Sequence, residues 1–287
     1  MQAIKFPFRA RFASRSPVCD RLSGVSLKTT RLRPSNSRFV CNAKPKDPTV
    51  IHFFENVTES PAFPNFTEGL YHVMEVARDH PLYKSSQIHE IISTEEDKVS
   101  PFSYVTLASY NPCPEGSEAL WQVDEGYQIA CKYGVKDPHH QVIAERLVTL
   151  PEGAPDPLAV GAVADEDLVV LAAFVDVSGP DALTLTQALM DLPAARSVCL
   201  YKSVEDATDL DEPAFSCCLR TVIGGEADVD ELAKDVGRLT KGVQGLMHAG
   251  VYRVLFECTK DGSSVGIIAA QKATDLAKQR GMGSAQE

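Results

Sequence analysis

An internal repeat limits the folds open to this chain of 287 residues more than any other feature. From Val50 to Leu150 the spacing of apolar residues predicts the order βαββαβ, and from Leu168 to Thr259 the same order returns. The predicted strands are residues 50–57, 87–93, 102–110 and 142–150, then 168–177, 197–203, 214–223 and 250–259. The predicted helices are residues 67–79 and 117–133, then 182–192 and 227–241.

Short motifs match between the two halves in the same order. FENVTESP (54–61) matches FVDVSGP (174–180), and STEED (93–97) matches KSVED (202–206). PFS (101–103) matches PAFS (213–216), and VIAERLV (142–148) lies in order and spacing near VYRVLFE (251–257). Four ordered matches at a nearly constant offset indicate a duplicated domain.

The duplication also predicts the domain boundaries. Residues 151–167 hold three prolines, two glycines and a cluster of acids, which is the composition of a linker. We therefore expect a first repeat over 44–150, a linker over 151–167 and a second repeat over 168–260. Residues 261–287 form a C-terminal tail that includes a predicted short helix.

The element order predicts an α+β fold. Each βαββαβ half should form a four-stranded antiparallel sheet with both helices on one face, the ferredoxin-like arrangement. The other face of each sheet is also apolar and needs cover. Two tandem ferredoxin-like repeats packed sheet to sheet, as an α+β barrel within one chain, satisfy both requirements.

The stretch SVCLYKSVEDATDLDEPAFSCCLRTV (197–222) resembles the middle of two families in the dimeric α+β barrel superfamily. These are the antibiotic-biosynthesis-monooxygenase domains and the plant stress-responsive A/B barrel domains. The resemblance implies a range of functions: cofactor-free monooxygenases, haem-degrading enzymes, tandem haem peroxidase-like proteins and members without known chemistry. The fold alone therefore does not select a function. A regulatory ACT-like pair shares the element order, but the chain lacks a Gly-rich ligand loop after either first strand.

The first 43 residues have the composition of an organelle leader. They carry nine basic side chains, six serines and the single acid Asp20, without a long apolar run. This pattern is typical of a transit peptide, and Val40-Cys41-Asn42-Ala43 resembles a plastid cleavage site. We expect the chloroplast stroma, with the mitochondrial matrix as the alternative and a basic tail of the mature protein as a third interpretation.

Charge excludes two classes of partner. Without the leader, 19 basic side chains face 38 acidic ones, a net charge of −19. Phosphate backbones and anionic lipid need clustered Lys and Arg, which the chain after residue 43 lacks. We expect no nucleic acid partner and no membrane insertion, and the sequence leaves the oligomeric state open.

The sequence contains no motif for nucleophilic, dinucleotide or nucleotide chemistry. The acidic loops lack the ligand pattern of calcium sites, and haem would need an axial histidine, which neither predicted second helix contains. His139, His140 and His248 are expected in the connections before strands. We therefore expect no metal and no cofactor.

Two functions stay open. The first is non-catalytic binding of a small apolar ligand between the sheets, or of a protein partner. The second is a cofactor-independent monooxygenase-like enzyme, with haem binding as a weaker variant. Either one needs polar groups in an apolar enclosure. The candidate ligand-binding residues are Asn56, His72, Tyr104, Trp121, Asp176, Tyr201 and Arg220, with His52 beside them.

Overall fold

The computed structural model describes the chain between Asp47 and Asp261, with gaps. The described residues are 47–55, 70, 74, 77–93, 102–112, 139–159, 161–206, 215–225 and 227–261. The predicted helix over 117–133, the acidic loops after residues 93 and 206, the leader and the C-terminal tail lie outside them.

Eight strands and two helices are described in full. The strands are β1 (Pro48–Glu55), β2 (Tyr83–Ser93), β3 (Phe102–Tyr110), β4 (His139–Leu150), β5 (Leu168–Phe174), β6 (Ala195–Asp206), β7 (Cys217–Ile223) and β8 (Leu246–Thr259). The helices are α1 (Gly179–Met190) and α2 (Val229–Thr240). Leu70, Met74 and Ala77 are helical and buried, as the prediction for residues 67–79 requires.

The strands form one closed barrel in the order β1-β3-β2-β8-β5-β7-β6-β4. Within each half the order is that of a ferredoxin-like sheet, β4-β1-β3-β2 and β8-β5-β7-β6. Edge strands β2 and β8 pair antiparallel at one seam, and β4 and β6 pair antiparallel at the other. The two predicted sheets therefore face each other as the opposite walls of a single barrel, which removes their open edges.

Successive side chains along each strand point to opposite faces of the sheet, and this divides the core into an inner and an outer layer. On β1, Ile51 and Phe53 pack in the cluster that fills the barrel, whereas Val50 and Phe54 pack outside it. In the second half the outer layer contains the apolar faces of α1 and α2, with Leu185, Leu189, Leu232 and Val236 as buried members. Both faces of the sheet are thus buried, which explains the continuous apolar runs in the sequence.

Both helices of the second half begin at side-chain caps. Ser178 precedes α1 and accepts a hydrogen bond from the backbone N–H of Asp181. Asp228 precedes α2 and accepts from the backbone N–H groups of Asp230 and Glu231. These caps satisfy donors that a helix leaves unpaired at its first turn.

The segment between the halves, residues 151–167, folds over one end of the barrel. Its Leu158 and Val163 are each 2% exposed and pack with the inner cluster. The backbone carbonyl of Pro157 accepts a hydrogen bond from inward-facing Gln87. We call residues 151–167 the strap, because they both connect the halves and cover the barrel interior at this end.

Candidate functional site

The barrel interior is apolar over most of its height. An eight-stranded barrel has an interior that side chains just fill, or that holds one small ligand. The inward-facing apolar side chains come from all described strands. They include Ile51, Phe53, Val105, Leu107, Val142, Ala144, Val169, Leu171, Ala173, Cys218, Val222 and Val254.

One positive charge lies inside this apolar interior. Arg220 is in the middle of β7, where it pairs with Leu171 on β5 and Cys199 on β6, and it is 1% exposed. Its Nη2 donates to Gln87 Oε1 at 2.6 Å. Its Nε and Nη1 have no hydrogen-bond partner among the described residues. A guanidinium with unused donors in an apolar interior is costly unless an acceptor joins it.

Gln87 connects Arg220 to a buried carboxylate. Its Nε2 donates to Glu257 Oε1 at 2.6 Å, and Glu257 Oε2 accepts from the backbone N–H of Gly161 at 2.9 Å. Burial raises the pKa of Glu257, while the bonds from Gly161 and Gln87 and the charge of Arg220 act against that rise. The result is a hydrogen-bonded series across the interior, from Arg220 on β7 to the strap.

His89 supplies an unused acceptor within electrostatic range of the guanidinium of Arg220. It is fully buried, and its Nδ1 lies 3.1 Å from the carbonyl oxygen of Val105. Because a carbonyl only accepts, Nδ1 carries the proton, and Nε2 presents a lone pair that has no partner in the described part of the chain. Burial, and after it the charge of Arg220, lowers the pKa of His89 to about 3. The imidazole is therefore neutral at neutral pH.

Tyr201 is the third polar group near Arg220. It is 1% exposed, and its hydroxyl has no partner within the described ranges. Burial raises the pKa of Tyr201 well above 10, and Arg220 and Arg146 act in the opposite direction. The phenol stays protonated and can donate to or accept from a ligand. Together, Arg220, His89 and Tyr201 form what we call the polar triad.

The opposite end of the interior is aromatic. His248 on β8 lies among the edges of the Phe53 and Phe102 rings. Its Nε2 lies 2.5 Å from the hydroxyl of Tyr252, which also lies 3.3 Å from the carbonyl oxygen of Phe102. Burial lowers the pKa of His248 to about 3. This end offers a neutral, largely apolar surface.

Two placements differ from the expectation for the histidines. His248 lies within β8, opposite Ala173 of β5, and His139 and His140 begin β4, opposite Phe54 and Phe53. These residues are thus not in connections. Both strands start earlier than predicted, because their first residues pair with a neighbouring strand, Leu246 with Phe174 of β5 and His139 with Phe54 of β1.

The sequence-predicted candidates separate into three groups. Tyr201 and Arg220 both face the interior and interact electrostatically. Tyr104 lies on the outer face of β3, where its hydroxyl donates to Glu90 Oε1 at 3.1 Å, and Asp176 is exposed after β5 with a φ of 58°. His52 lies on the outer face of β1, away from the triad, and Asn56, His72 and Trp121 lie outside the described residues.

Sequence reasoning missed His89, Gln87 and Glu257. In QIHEIIS the polar residues at 87 and 89 share one face, but isoleucines at 88, 91 and 92 occupy both faces. The pattern therefore does not tell which face is inside. Glu257 was missed because β8 contains a bulge. Val254 pairs with His89 and Phe256 pairs with Ile88, so Leu255 is an extra residue without a partner on β2. The extra residue turns Glu257 inward.

No metal site or membrane span is found in the described part of the chain. Its His, Cys, Asp and Glu side chains form no group of three or more that could hold a metal ion. None of its helices combines the length and the apolar composition needed to cross a bilayer.

Comparison with known proteins gives a likeness of fold. No family model and no curated protein matches the chain. Among solved structures, an anthrone oxidase-like protein is 16% identical with a TM-score of 0.49, over 75% of this chain and 94% of that one. A Fusobacterium nucleatum protein provisionally described as a monooxygenase is 14% identical with a TM-score of 0.42, over 79% and 100% of the two chains.

A third structure, from Lactobacillus acidophilus and described in the same provisional way, is 11% identical with a TM-score of 0.39, over 78% and 99% of the two chains. At these identities and scores a likeness does not carry function from one protein to another. The described topology, two ferredoxin-like sheets closed into one barrel within one chain, is the fold expected from the element order.

Proposed function

We propose that the barrel interior binds a small, mainly apolar ligand through one oxygen acceptor, which Arg220 holds. The observation that carries this proposal is the buried guanidinium of Arg220, whose Nε and Nη1 lack partners in the described structure. An unpaired buried polar group costs about 1–3 kcal/mol, and more when it is charged. A ligand oxygen in front of these donors would remove that cost.

The surroundings specify the rest of the ligand. Leu171 and Leu107 belong to the apolar wall of the interior, and Tyr201 and His89, both within electrostatic range of Arg220, offer one hydroxyl and one lone pair. Small-molecule sites have this composition, an apolar lining with a few placed polar groups. The ligand expected from the sequence was apolar, and the triad adds a single polar group to that description.

The surface gives less support to a protein partner. The exposed large apolar residues of the described chain are Ile92 on β2, Leu147 on β4 and Leu183 on α1. Single exposed apolar residues on separate elements are ordinary, whereas docking sites are contiguous patches. We therefore favour an internal ligand over partner docking.

Binding of acetophenone to the full-length protein tests this proposal. Acetophenone has an apolar ring and one carbonyl acceptor, and ligand-observed NMR detects weak binding of such a fragment. Arg220→Lys keeps the charge but removes Nε and Nη1, so we expect at least about tenfold weaker binding. The matched control is Arg253→Lys on the exposed outer face of β8, which should bind like the wild type.

Equal binding by wild type and Arg220→Lys would overturn the proposal, as would absence of binding to the wild type. Water alone in front of Arg220 would give that second result. Mass spectrometry of small molecules extracted from the purified wild-type protein, compared with Arg220→Lys, then identifies a natural ligand.

A second function, cofactor-independent oxidation, is favoured by the Nε2 lone pair of His89. A neutral imidazole in the field of a fixed positive charge can take a proton from a strongly acidic C–H bond, while the guanidinium stabilises the enolate that forms. Because burial and the charge of Arg220 lower the pKa of His89 to about 3, the imidazole is unprotonated throughout the neutral pH range, but it is a weak base and needs an easily enolised substrate.

Oxygen uptake with β-tetralone, an easily enolised aryl ketone, measures such a reaction. We expect uptake to be lost in His89→Gln and kept in the wild type. If the wild type binds the ketone but consumes no oxygen above the rate without protein, the interior is a binding site only. The plastid location, with the mitochondrial matrix as the alternative, stays a prediction from the leader.

A further inference from the structure

The charges inside the barrel balance before any ligand enters. Arg220 is positive, Glu257 is negative, and Gln87 joins them through two hydrogen bonds of 2.6 Å. Both residues are 1% exposed and Gln87 is fully buried. One cation and one anion are thus held at a fixed separation in the interior.

Gln87 keeps the two charges apart. Glu257 Oε1 is held by Gln87 and Oε2 by the backbone N–H of Gly161, so both carboxylate oxygens already have donors. The carboxylate is therefore not placed directly against the guanidinium. Its charge compensates Arg220, while the Nε and Nη1 donors of Arg220 stay available.

Of the other charged groups, Asp165 on the strap acts on Glu257 as a further negative charge that raises its pKa, and those at the strap end pair among themselves. At the strap end, Arg146 lies 2.9 Å from Asp156 and 3.7 Å from Asp47, and Lys84 lies 3.6 Å from Asp47 and 3.9 Å from Asp156. The two positive side chains are thus neutralised by the two carboxylates. The described residues therefore leave no spare positive charge beside the interior for an anionic ligand.

We propose that Glu257, acting through Gln87, makes the site selective for a neutral carbonyl ligand over a carboxylate. This inference rests on the proposed binding function and adds the chemical class of the ligand. A ketone, aldehyde or amide oxygen accepts from Arg220 without changing the net charge. A carboxylate would place two anions around one cation in a weakly screened interior.

The site can take a carboxylate only together with a proton. A second anion near Arg220 would compete with Glu257 for the same positive charge, and Glu257 is the group that would become protonated. Burial already raises the pKa of Glu257, which makes this protonation easier. Neutral ligands should bind without proton uptake, and anionic ligands should bind with uptake of about one proton.

Acetophenone and benzoate form the test pair, because they share a ring and differ mainly in charge. Near neutral pH we expect the full-length wild type to bind acetophenone at least about tenfold more tightly than benzoate. Glu257→Gln removes the internal anion and leaves Arg220 uncompensated, so the preference should reverse. Thr149→Val, at the other seam of the barrel, is the control and should keep the wild-type preference.

Isothermal calorimetry on the wild type tests the inference without any variant. Benzoate titrations in two buffers of different ionisation enthalpy report the protons taken up on binding. Uptake of about one proton with benzoate and none with acetophenone is expected.

The outcomes separate the two proposals. If acetophenone binding depends on Arg220, but benzoate binds as tightly and without proton uptake, the role of Glu257 is wrong and the interior site stands. If neither compound binds the wild type, both proposals fail. A preference for acetophenone that Glu257→Gln leaves unchanged, in a variant that keeps the wild-type circular dichroism, also overturns the role of Glu257.

Discussion

The two halves of the barrel have the same architecture and different interiors. Aligning the outward-facing Phe54 with Phe174 places Ile51 over Leu171, and both face inward. Ile51 pairs with Leu107 in the first half, whereas Leu171 pairs with Arg220 in the second. The position of the buried guanidinium is thus occupied by leucine in the other repeat.

The seams extend this comparison. Gln87 pairs with Glu257 where β2 meets β8, and Cys199 pairs with Thr149 where β6 meets β4. The first pair has a charged hydrogen bond of 2.6 Å, and the second has a thiol-to-hydroxyl contact of 3.5 Å. Both halves have the register that turns these side chains inward, and of the two compared pairs only Gln87–Glu257 contains a charged residue.

Both seams carry the same irregularity. Leu255 is the extra residue in β8, and Leu147 is the extra residue in β4, where Arg146 pairs with Tyr201 and Val148 pairs with Leu200. Each bulge turns the residue two positions later toward the interior. The backbone geometry at the seams is therefore the same in both halves, although the side chains that it turns inward differ in charge and polarity.

The largest expected difference between the seams is in stability. Glu257→Leu leaves Arg220 without a compensating charge, leaves the backbone N–H of Gly161 without its acceptor, and leaves Gln87 Nε2 with only the 3.3 Å contact to the carbonyl oxygen of Pro157. We expect the free energy of unfolding to fall by about 3–5 kcal/mol. Thr149→Val loses one weak contact and should cost about 1 kcal/mol or less. Urea unfolding followed by circular dichroism measures both.

The double variant Arg220→Leu/Glu257→Leu sharpens this result. Replacing both charges with apolar side chains removes the uncompensated cation, so the loss should be smaller than for Glu257→Leu alone. Equal costs at the two seams, or a double variant less stable than the single one, would show that the charge pair does not distinguish the halves.

A second prediction concerns the part of the interior that the halves share. Ile51 and Leu171 are both fully buried and occupy equivalent positions. Ile51→Ala and Leu171→Ala should each lower the free energy of unfolding by about 2–5 kcal/mol, because each leaves a cavity in the same inner layer. Costs that differ by more than about 2 kcal/mol, again from urea unfolding, would contradict an equivalent packing role.

A third prediction is a contrast in pH dependence between His89 and Tyr201, which occupy equivalent positions opposite Val105 and Cys218. The pKa of His89 is lowered from 6.5 to about 3, so the unfolded chain binds the proton more readily in this range. Stability contributed by neutral His89 is present above pH 6.5 and is lost as the pH falls toward 3, by up to about 1.4 kcal/mol per pH unit. His248, with a similar lowered pKa, adds a parallel loss.

Tyr201 should act at the opposite end of the pH scale. Its pKa is raised above 10, so its contribution is present below pH 10 and is lost as the pH rises further. His89→Gln should flatten the acid side of the stability profile, and Tyr201→Phe should flatten the alkaline side. Unfolding free energies measured across pH check this, and a profile changed on the same side by both variants would contradict it.

Many of the strands and helices could be predicted from the local spacing of apolar residues. The predicted strand 102–110 coincides with β3, and the predicted helices over 182–192 and 227–241 overlap α1 and α2. These elements follow from apolar spacing and breakers, which are properties of neighbouring residues. Tyr201 and Arg220 were also among the candidate residues, because they are polar groups in otherwise apolar predicted strands.

The rest of the site depends on register. Tyr104 is a polar residue in an apolar strand just as Tyr201 is, yet it faces the outer layer and Tyr201 faces the interior. A shift of one residue exchanges the two faces of a strand, and local sequence does not specify that shift. The direction of Glu257 could not be predicted from local sequence either. Strict alternation of side chains from Val251 would place Glu257 on the outer face, but the bulge at Leu255 turns it inward.

The sequence by itself determined the repeated pattern, the order of the described strands and helices, and the apolar character of both layers, because these depend on short-range periodicity. Only the tertiary structure decided that Gln87 reaches Arg220, 133 residues further along the chain and across the barrel, and that Glu257 completes the series. Those contacts depend on seam pairing, two bulges and barrel closure. All three are set by packing between distant segments, where each strand buries its apolar side chains on both faces.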